Sequence, residues 1–263
     1  MKKIVLCLTT ALMLQAETIS NSIGMEFVKI PNGSFMMGTK VPNCPKDDPL
    51  TEKNEQEDCT ENITRDERPY HKESISSFYM QTTEVVQYQW YKIMGNNPAH
   101  FKTEVLGYNS QNNPIENISW KDVKEFIRRL NSKEKTNIYR LPTEKEWEYV
   151  ARAGSQDKWH FGNNKNQLKD YAWYGENSEK STHPVAKKQP NSWGIYDMYG
   201  NVYEWTNSCY TQKYNQGCYV DYKTLRGGSW SSDTFRTRAA FRYFNRPIKR
   251  YKDVGFRLVR SLR

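Results

Sequence analysis

The chain has 263 residues and a formal net charge of +9, and only 37% of it is hydrophobic, yet 8 Trp and 18 Tyr help lift the aromatic share to 14%. That length suits one large domain or two small ones with a sizeable core. Buried rings that carry N–H and O–H groups need partners, which argues against a plain helical bundle and for an irregular, hydrogen-bonded architecture.

The first sixteen residues read as a secretory signal, with Lys2 and Lys3 as the charged start, an apolar run over 4–14 and a small residue, Ala16, at the cut. The run is too short to span a bilayer and no second one follows, so no transmembrane segment is expected in the mature chain. Cys7 does not suit a lipoprotein site, because Leu6 before it is too large. The mature chain, 17–263, is expected in the periplasm or secreted. With no internal repeat or linker, it reads as one domain. No nucleic-acid-binding module is recognisable, so nucleic acid is not expected as a partner.

Removal of the signal leaves Cys44, Cys59, Cys209 and Cys218 and lowers the charge to +7, since two lysines leave with it. An even cysteine count in an oxidising compartment suggests disulfides. Four cysteines allow three connectivities; the local pairs Cys44–Cys59 and Cys209–Cys218, each pinning one loop, are the expectation. No CxxC spacing points to zinc.

Along the chain, the apolar runs 25–30 and 34–37 flank Pro31-Asn32-Gly33 and predict a hairpin. Residues 40–68 form a long polar loop, with seven acids against two lysines over 46–61. A first helix is predicted from Thr83-Glu84 to Met94, ending at Gly95. A second starts at the N-cap Ser119, with Asp122 three residues on, and buries Val123, Phe126, Ile127 and Leu130. A third opens at Pro142-Thr143 with Glu146 closing a capping box, buries Trp147, Val150 and Ala151, and stops at Gly154. Glu144, Glu146 and Glu148 favour the helix dipole and read as structural rather than catalytic. Beyond Gln156 the pattern is irregular, with strands predicted at 224–230 and 254–260. Few helices and scattered strands give an α+β class. The C-terminal stretch 223–263 holds twelve basic residues against two aspartates; because they are interleaved with apolar residues, they read as arginines that stitch loops together.

Seven motifs in order carry a resemblance: Gly24-Met25-Glu26-Phe27 with Gly33-Ser34-Phe35-Met36-Met37-Gly38, Thr82-Thr83-Glu84-Val85, PIENISW over 114–120, RLPTEKEWEY over 140–149, NSWGIYDMYGNVYEW over 191–205, Arg226-Gly227-Gly228-Ser229-Trp230 and Gly255-Phe256-Arg257. From about residue 22 onward the chain resembles the formylglycine-generating-enzyme, or sulfatase-modifying-factor, superfamily. The resemblance implies an irregular C-type-lectin-like fold with little regular secondary structure, and a Cys209–Cys218 disulfide common in bacterial members. It also implies a structural calcium held by the carboxylates of Asp197 and Glu204 and the carbonyls of Gly200 and Val202. Hard oxygens from an acid–Gly–acid turn suit that ion. A second calcium site of the family has no match, since Trp173 stands near where an asparagine is expected.

The active members bind Cu(I) through two cysteines shortly after the Gly-Gly-Ser motif. Here residues 230–242 contain no cysteine, and hydroxyls cannot replace thiolates for that ion. Copper is not expected, nor is standard formylglycine generation; any activity would be that of an oxidoreductase-like maturation factor. No residue is assigned a catalytic role. The candidate ligand-binding residues are Trp230, Ser231, Ser232, Asp233 and Arg236, whereas Arg238, Arg242 and Arg257 read as internal support. His71, His100, His160 and His183 are scattered without metal-ligand spacing. Three roles follow from the resemblance: maturation or modification of an envelope or secreted substrate, as in the copper-free branch tied to pyoverdine maturation; a non-catalytic ligand- or protein-binding module; or an envelope-assembly component. The partner class is an envelope protein, peptide or small molecule.

Overall fold

The structure, a computed structural model, describes residues 17–40, 64–214 and 216–262. The expected signal, the Cys44–Cys59 pair and most of the acidic loop lie outside the described residues. In chain order the elements are β1 (Thr18–Ser20), β2 (Glu26–Ile30), β3 (Gly33–Met37), a 3-10 turn (Arg65–Glu67), β4 (His71–Ile75), β5 (Phe78–Gln81), α1 (Gln87–Met94), α2 (Thr103–Leu106), α3 (Trp120–Lys133), β6 (Tyr139–Arg140) and α4 (Glu144–Arg152). A second 3-10 turn (Lys165–Gln167), α5 (Leu168–Tyr171), β7 (Tyr203–Tyr210), β8 (Tyr219–Arg226), β9 (Tyr243–Asn245), β10 (Val254–Gly255) and β11 (Val259–Arg260) complete the set. Short elements joined by long irregular stretches make an α+β fold of the C-type-lectin-like kind. No helix among the described residues is long and apolar enough to cross a membrane.

The strands form a five-stranded sheet in the order β1-β2-β5-β11-β6, a four-stranded sheet β10-β7-β8-β9 and a β3-β4 pair. Both runs of the predicted hairpin are strands, but they do not pair with each other. β2 lies between β1 and β5, whereas β3 pairs with β4. Proline explains the correction. Pro31 fixes φ near −65°, and the tight turns that suit a hairpin need a positive φ at the first loop position.

The second and third helices start where their caps predict. Ser119 Oγ accepts from the Asp122 N–H while Asp122 Oδ2 accepts from the Ser119 N–H at 2.8 Å. Thr143 and Glu146 exchange the same pair of bonds at the head of α4. Val123, Phe126, Ile127 and Leu130 are buried on α3, and Trp147, Val150 and Ala151 on α4. α1 begins three residues later than its acidic start suggests. The stretch before it stays extended because the Val85 N–H donates to Phe256 O and Val85 O accepts from the Ile115 N–H. The predicted strand over 254–260 is divided: β10 joins one sheet and β11 the other, and Arg257 sits at the crossing. The strand expected at 224–230 begins earlier, at Tyr219, and stops at Arg226. Gly227 and Gly228 end it with φ of +96° and +76°, and a Cβ on Gly228 would stand 3.0 Å from Arg236 O.

Candidate functional site

Three buried arginines, Arg226, Arg238 and Arg242, fix the segment that follows Gly227-Gly228, and a fourth, Arg257, ties the stretch between β10 and β11 to the 197–204 turn. Arg226 donates to Glu148 and to the carbonyls of Ala239 (2.8 Å), Ala240 and Phe241 (3.0 Å each). Arg238 grips both oxygens of Glu67 at 2.6 and 2.9 Å, across 171 residues of sequence. Arg242 grips Glu144 at 2.6 and 2.9 Å and also reaches Asp66 O and Thr211 O. Arg257 donates to both oxygens of Glu204, which also accepts from Trp147 Nε1 at 2.8 Å. Burial alone would raise the Glu148 carboxyl, but Arg152, Arg226 and the Gly38 N–H outweigh it and hold it below the ordinary value. Forked guanidinium–carboxylate pairs of this kind fix geometry as well as charge. Glu144 and Glu148 of α4 are therefore braces, and Glu146 closes the capping box and pairs with Arg140 at 2.7 Å.

Above these braces the five candidate residues divide. Trp230 is buried; its Nε1 donates to Lys252 O, its ring meets Phe101 edge-on at 5.3 Å, and Lys252 Nζ lies 5.4 Å from its centroid. Ser232 is buried, accepts from the Ser229 N–H and donates to the Tyr203 hydroxyl at 3.2 Å. Ser231, Asp233 and Arg236 are exposed. Asp233 accepts from the Arg236 backbone at 2.9 Å and from its Nη1 at 3.0 Å, an exposed ion pair. The face is thus polar over a buried hydroxyl cluster. A 580 Å³ cleft lined by Lys165, Lys169 and Glu176 reaches this segment at Thr234.

Three titratable groups near this face escape a reading of the sequence. Burial raises the Tyr203 hydroxyl and the Asp253 carboxyl, the latter bonded to Ser229. Glu116 is fully buried; one oxygen accepts from the Phe101 N–H at 2.8 Å, the other has no partner, and burial pushes the carboxyl up to about 8. Its position between Ile115 and Ile118 in an apolar motif was the available signal. In the unfolded chain this carboxyl titrates near 4.5, so between pH 4.5 and about 8 the folded chain holds a proton that the unfolded chain has lost. Stability contributed by that proton falls as pH rises through this window, by at most about 1.4 kcal/mol per pH unit. Glu116→Gln is expected to flatten the pH dependence of the urea midpoint between about pH 5 and pH 9. An unchanged slope would mean that burial does not raise the Glu116 carboxyl.

The turn expected to hold calcium carries three left-handed residues, Asp197 (φ 53°), Gly200 (φ 75°) and Asn201 (φ 54°). Gly200 passes so close to Trp173 that a Cβ there would meet its carbonyl oxygen. Trp173 itself stacks on His183 at 3.8 Å, with Lys188 Nζ 3.8 Å from its centroid. Asp197 Oδ2 accepts from the Ala186 N–H at 2.7 Å, whereas Oδ1 is buried without a partner. Both oxygens of the fully buried Glu84 are likewise unpartnered. Burial, then the neighbouring Asp197, raises the Glu84 carboxyl. These open acceptors suit a hard cation, while Glu204 is already shared with Arg257. Among the described residues no three His, Cys, Asp or Glu side chains gather as a metal site. The four histidines stand apart: His160 is boxed by Phe161, Tyr171 and Tyr199, His183 bonds Ser178 O, His71 lies against Tyr214, and His100 meets Phe101. Cys209 and Cys218 form a disulfide between the ends of β7 and β8.

The family model described as "Sulfatase-modifying factor enzyme 1-like domain" matches residues 15–262. The chain belongs to that family. This sulfatase-modifying-factor domain is 27% identical to "Chaperone protein LppX" of Paenibacillus barcinonensis, over 72% of this chain and 81% of that one. It is 33% identical to "Inactive C-alpha-formylglycine-generating enzyme 2" of Bos taurus over 55% of this chain, and 31% identical to "Formylglycine-generating enzyme" of Mus musculus over 64%. Those two matches take in about half of each mammalian protein, 49% and 50%. Among solved structures, "Treponema denticola variable protein 1" superposes with a TM-score of 0.77 at 27% identity, covering 94% of this chain and 99% of that one. PvdO from Pseudomonas aeruginosa gives 0.76 at 25% identity, covering 94% and 98%.

Proposed function

We propose that this domain matures or chaperones an exported protein by binding it on the face formed by residues 230–236, without copper-dependent thiol oxidation. The segment 230–242 carries the reading. It offers hydroxyls, an exposed ion pair and two arginines locked onto carboxylates, and no thiol. Cu(I) needs soft thiolate ligands, and the two described cysteines are bonded to each other. The similarity to a protein named as a chaperone and to one named as an inactive formylglycine-generating enzyme supports it. Export is supported by the signal-like residues 1–16 and by the disulfide, which persists in oxidising compartments. Mature protein incubated with Cu(I), oxygen and a sulfatase-type cysteine peptide is expected to yield no formylglycine by mass spectrometry. Conversion with turnover would sink the proposal.

A non-catalytic binding module or envelope-assembly component is the second reading, favoured by the exposed Asp233–Arg236 pair. A chaperone delays aggregation of an unfolded exported client; a binding module holds only the folded partner.

The turn from Asp197 to Glu204 is proposed as a structural calcium site, with Asp197 as its anchoring carboxylate, Glu204 as the second and the carbonyls of Gly200 and Val202 completing it. The unpartnered Asp197 oxygen supports this. Calcium at about a hundredfold over its Kd is expected to raise Tm by about 5 °C. EDTA should reverse the rise, and Asp197→Asn should abolish the response. A Tm indifferent to both calcium and EDTA would argue against the site.

A further inference from the structure

A second cleft, of 690 Å³, lies between the 3-10 turn at Arg65–Glu67 and the loop that follows β7, and its lining includes Arg65, Arg68, Tyr210, Gln212, Lys213 and Gln216. Both walls are fixed. The Glu67 carboxylate is gripped by Arg238, Asp66 O accepts from Arg242, and Arg68 O accepts from the Tyr214 N–H at 3.0 Å. The Cys209–Cys218 disulfide closes the opposite loop at its base.

The charge on these walls is unbalanced. Of the fourteen arginines among the described residues, ten have a described carboxylate within ion-pair reach; Arg65 and Arg68 are two of the four that have none among the described residues. Lys213 has no carboxylate partner there either, and Arg68 Nε is buried without a hydrogen-bond acceptor. Among the described lining residues the one acid, Asp66, accepts from the Tyr210 hydroxyl at 2.9 Å through Oδ2 and from the Thr64 hydroxyl through Oδ1, and it offsets one of the three positive charges. Two guanidinium forks and an ammonium facing one space, with an unpaired buried N–H among them, have the chemistry that recognises a tetrahedral oxyanion. The space far exceeds one such ion. The amides of Gln212 and Gln216 and the edge of Tyr210 supply neutral hydrogen bonds for an attached group.

We propose that this cleft binds a phosphate or sulfate monoester, its oxyanion held by Arg65, Arg68 and Lys213 and its organic part by Gln212, Gln216 and Tyr210. This site is distinct from the 230–236 face and does not depend on the function proposed for it. The test is isothermal titration of the whole mature protein with inorganic phosphate, inorganic sulfate, glucose 6-phosphate, glucose 6-sulfate and glucose. One of the two esters is expected to bind saturably, at least about fivefold more tightly than its inorganic ion, with affinity that falls as salt rises and with glucose inert. Arg65→Ala with Arg68→Ala is expected to weaken binding by tenfold or more, since each lost charged hydrogen bond is worth about tenfold. Arg68→Lys, which keeps the charge but not the fork, should fall between. Arg246→Ala, at an arginine outside the cleft that forms no ion pair among the described residues, should bind as the unmodified protein does. A urea midpoint near the unmodified value certifies that each variant is folded. Absence of saturable binding, equal affinity for ester and inorganic ion, or unchanged binding by the folded double variant would overturn the proposal.

Discussion

Arg226→Met is expected to cost about 3–5 kcal/mol of folding stability, among the largest effects of any single substitution in this chain. Arg226 is fully buried, its ion-pair partner Glu148 is fully buried, and three successive carbonyls of the 239–241 stretch take its N–H groups. Methionine fills much of the volume but leaves those carbonyls unpaired and gives Glu148 one guanidinium, Arg152, where it had two. Removing one member of a buried pair costs far more than the pair contributes, because the survivor stays desolvated. Urea denaturation measures the loss. Adding Glu148→Gln to Arg226→Met should cost less than the sum of the two single changes. A loss below about 1 kcal/mol would mean that the segment after Gly228 is supported in some other way.

Arg257→Leu is expected to be comparably damaging, again about 3–5 kcal/mol. Arg257 is the cation among three buried carboxyls, Glu204, Glu84 and Asp197, and it also takes the Asp197 carbonyl at 3.1 Å. Leucine leaves Glu204 with the Trp147 indole N–H alone. Glu204→Gln in the same chain should restore part of the loss, since a neutral amide needs no counter-charge. If the double variant is less stable than Arg257→Leu, the Glu204–Arg257 pair is not the main role of this arginine.

The parts of the fold legible in the sequence are those fixed within a few residues. The capping boxes at Ser119 and Thr143, the buried face of α3 and the left-handed stop at Gly95 depend on neighbours three or four positions away. Strand partners depend on distant segments. β2 and β3 therefore read as a hairpin until Pro31 is weighed against the turn types that can close one. The same contrast holds at the site. Arg238, Arg242 and Arg257 were recognisable as supports from their apolar spacing, but Glu67, the partner of Arg238, lies 171 residues away and carries no local sign of it. Trp230 and Ser232, expected to contact a ligand, are buried beside Lys252 and Tyr203, while Ser231, Asp233 and Arg236 remain on the surface. The place of Glu116 between Ile115 and Ile118 hints at burial, but the Phe101 N–H that partners it lies 15 residues away and leaves no local sign.

The proposed absence of copper chemistry rests on residues 230–242, which carry no cysteine to supply thiolate ligands. It is tested most directly by element analysis of the purified mature protein after exposure to Cu(I), followed by gel filtration in a weak chelator. No copper is expected to be retained. About one tightly held copper per chain would contradict it.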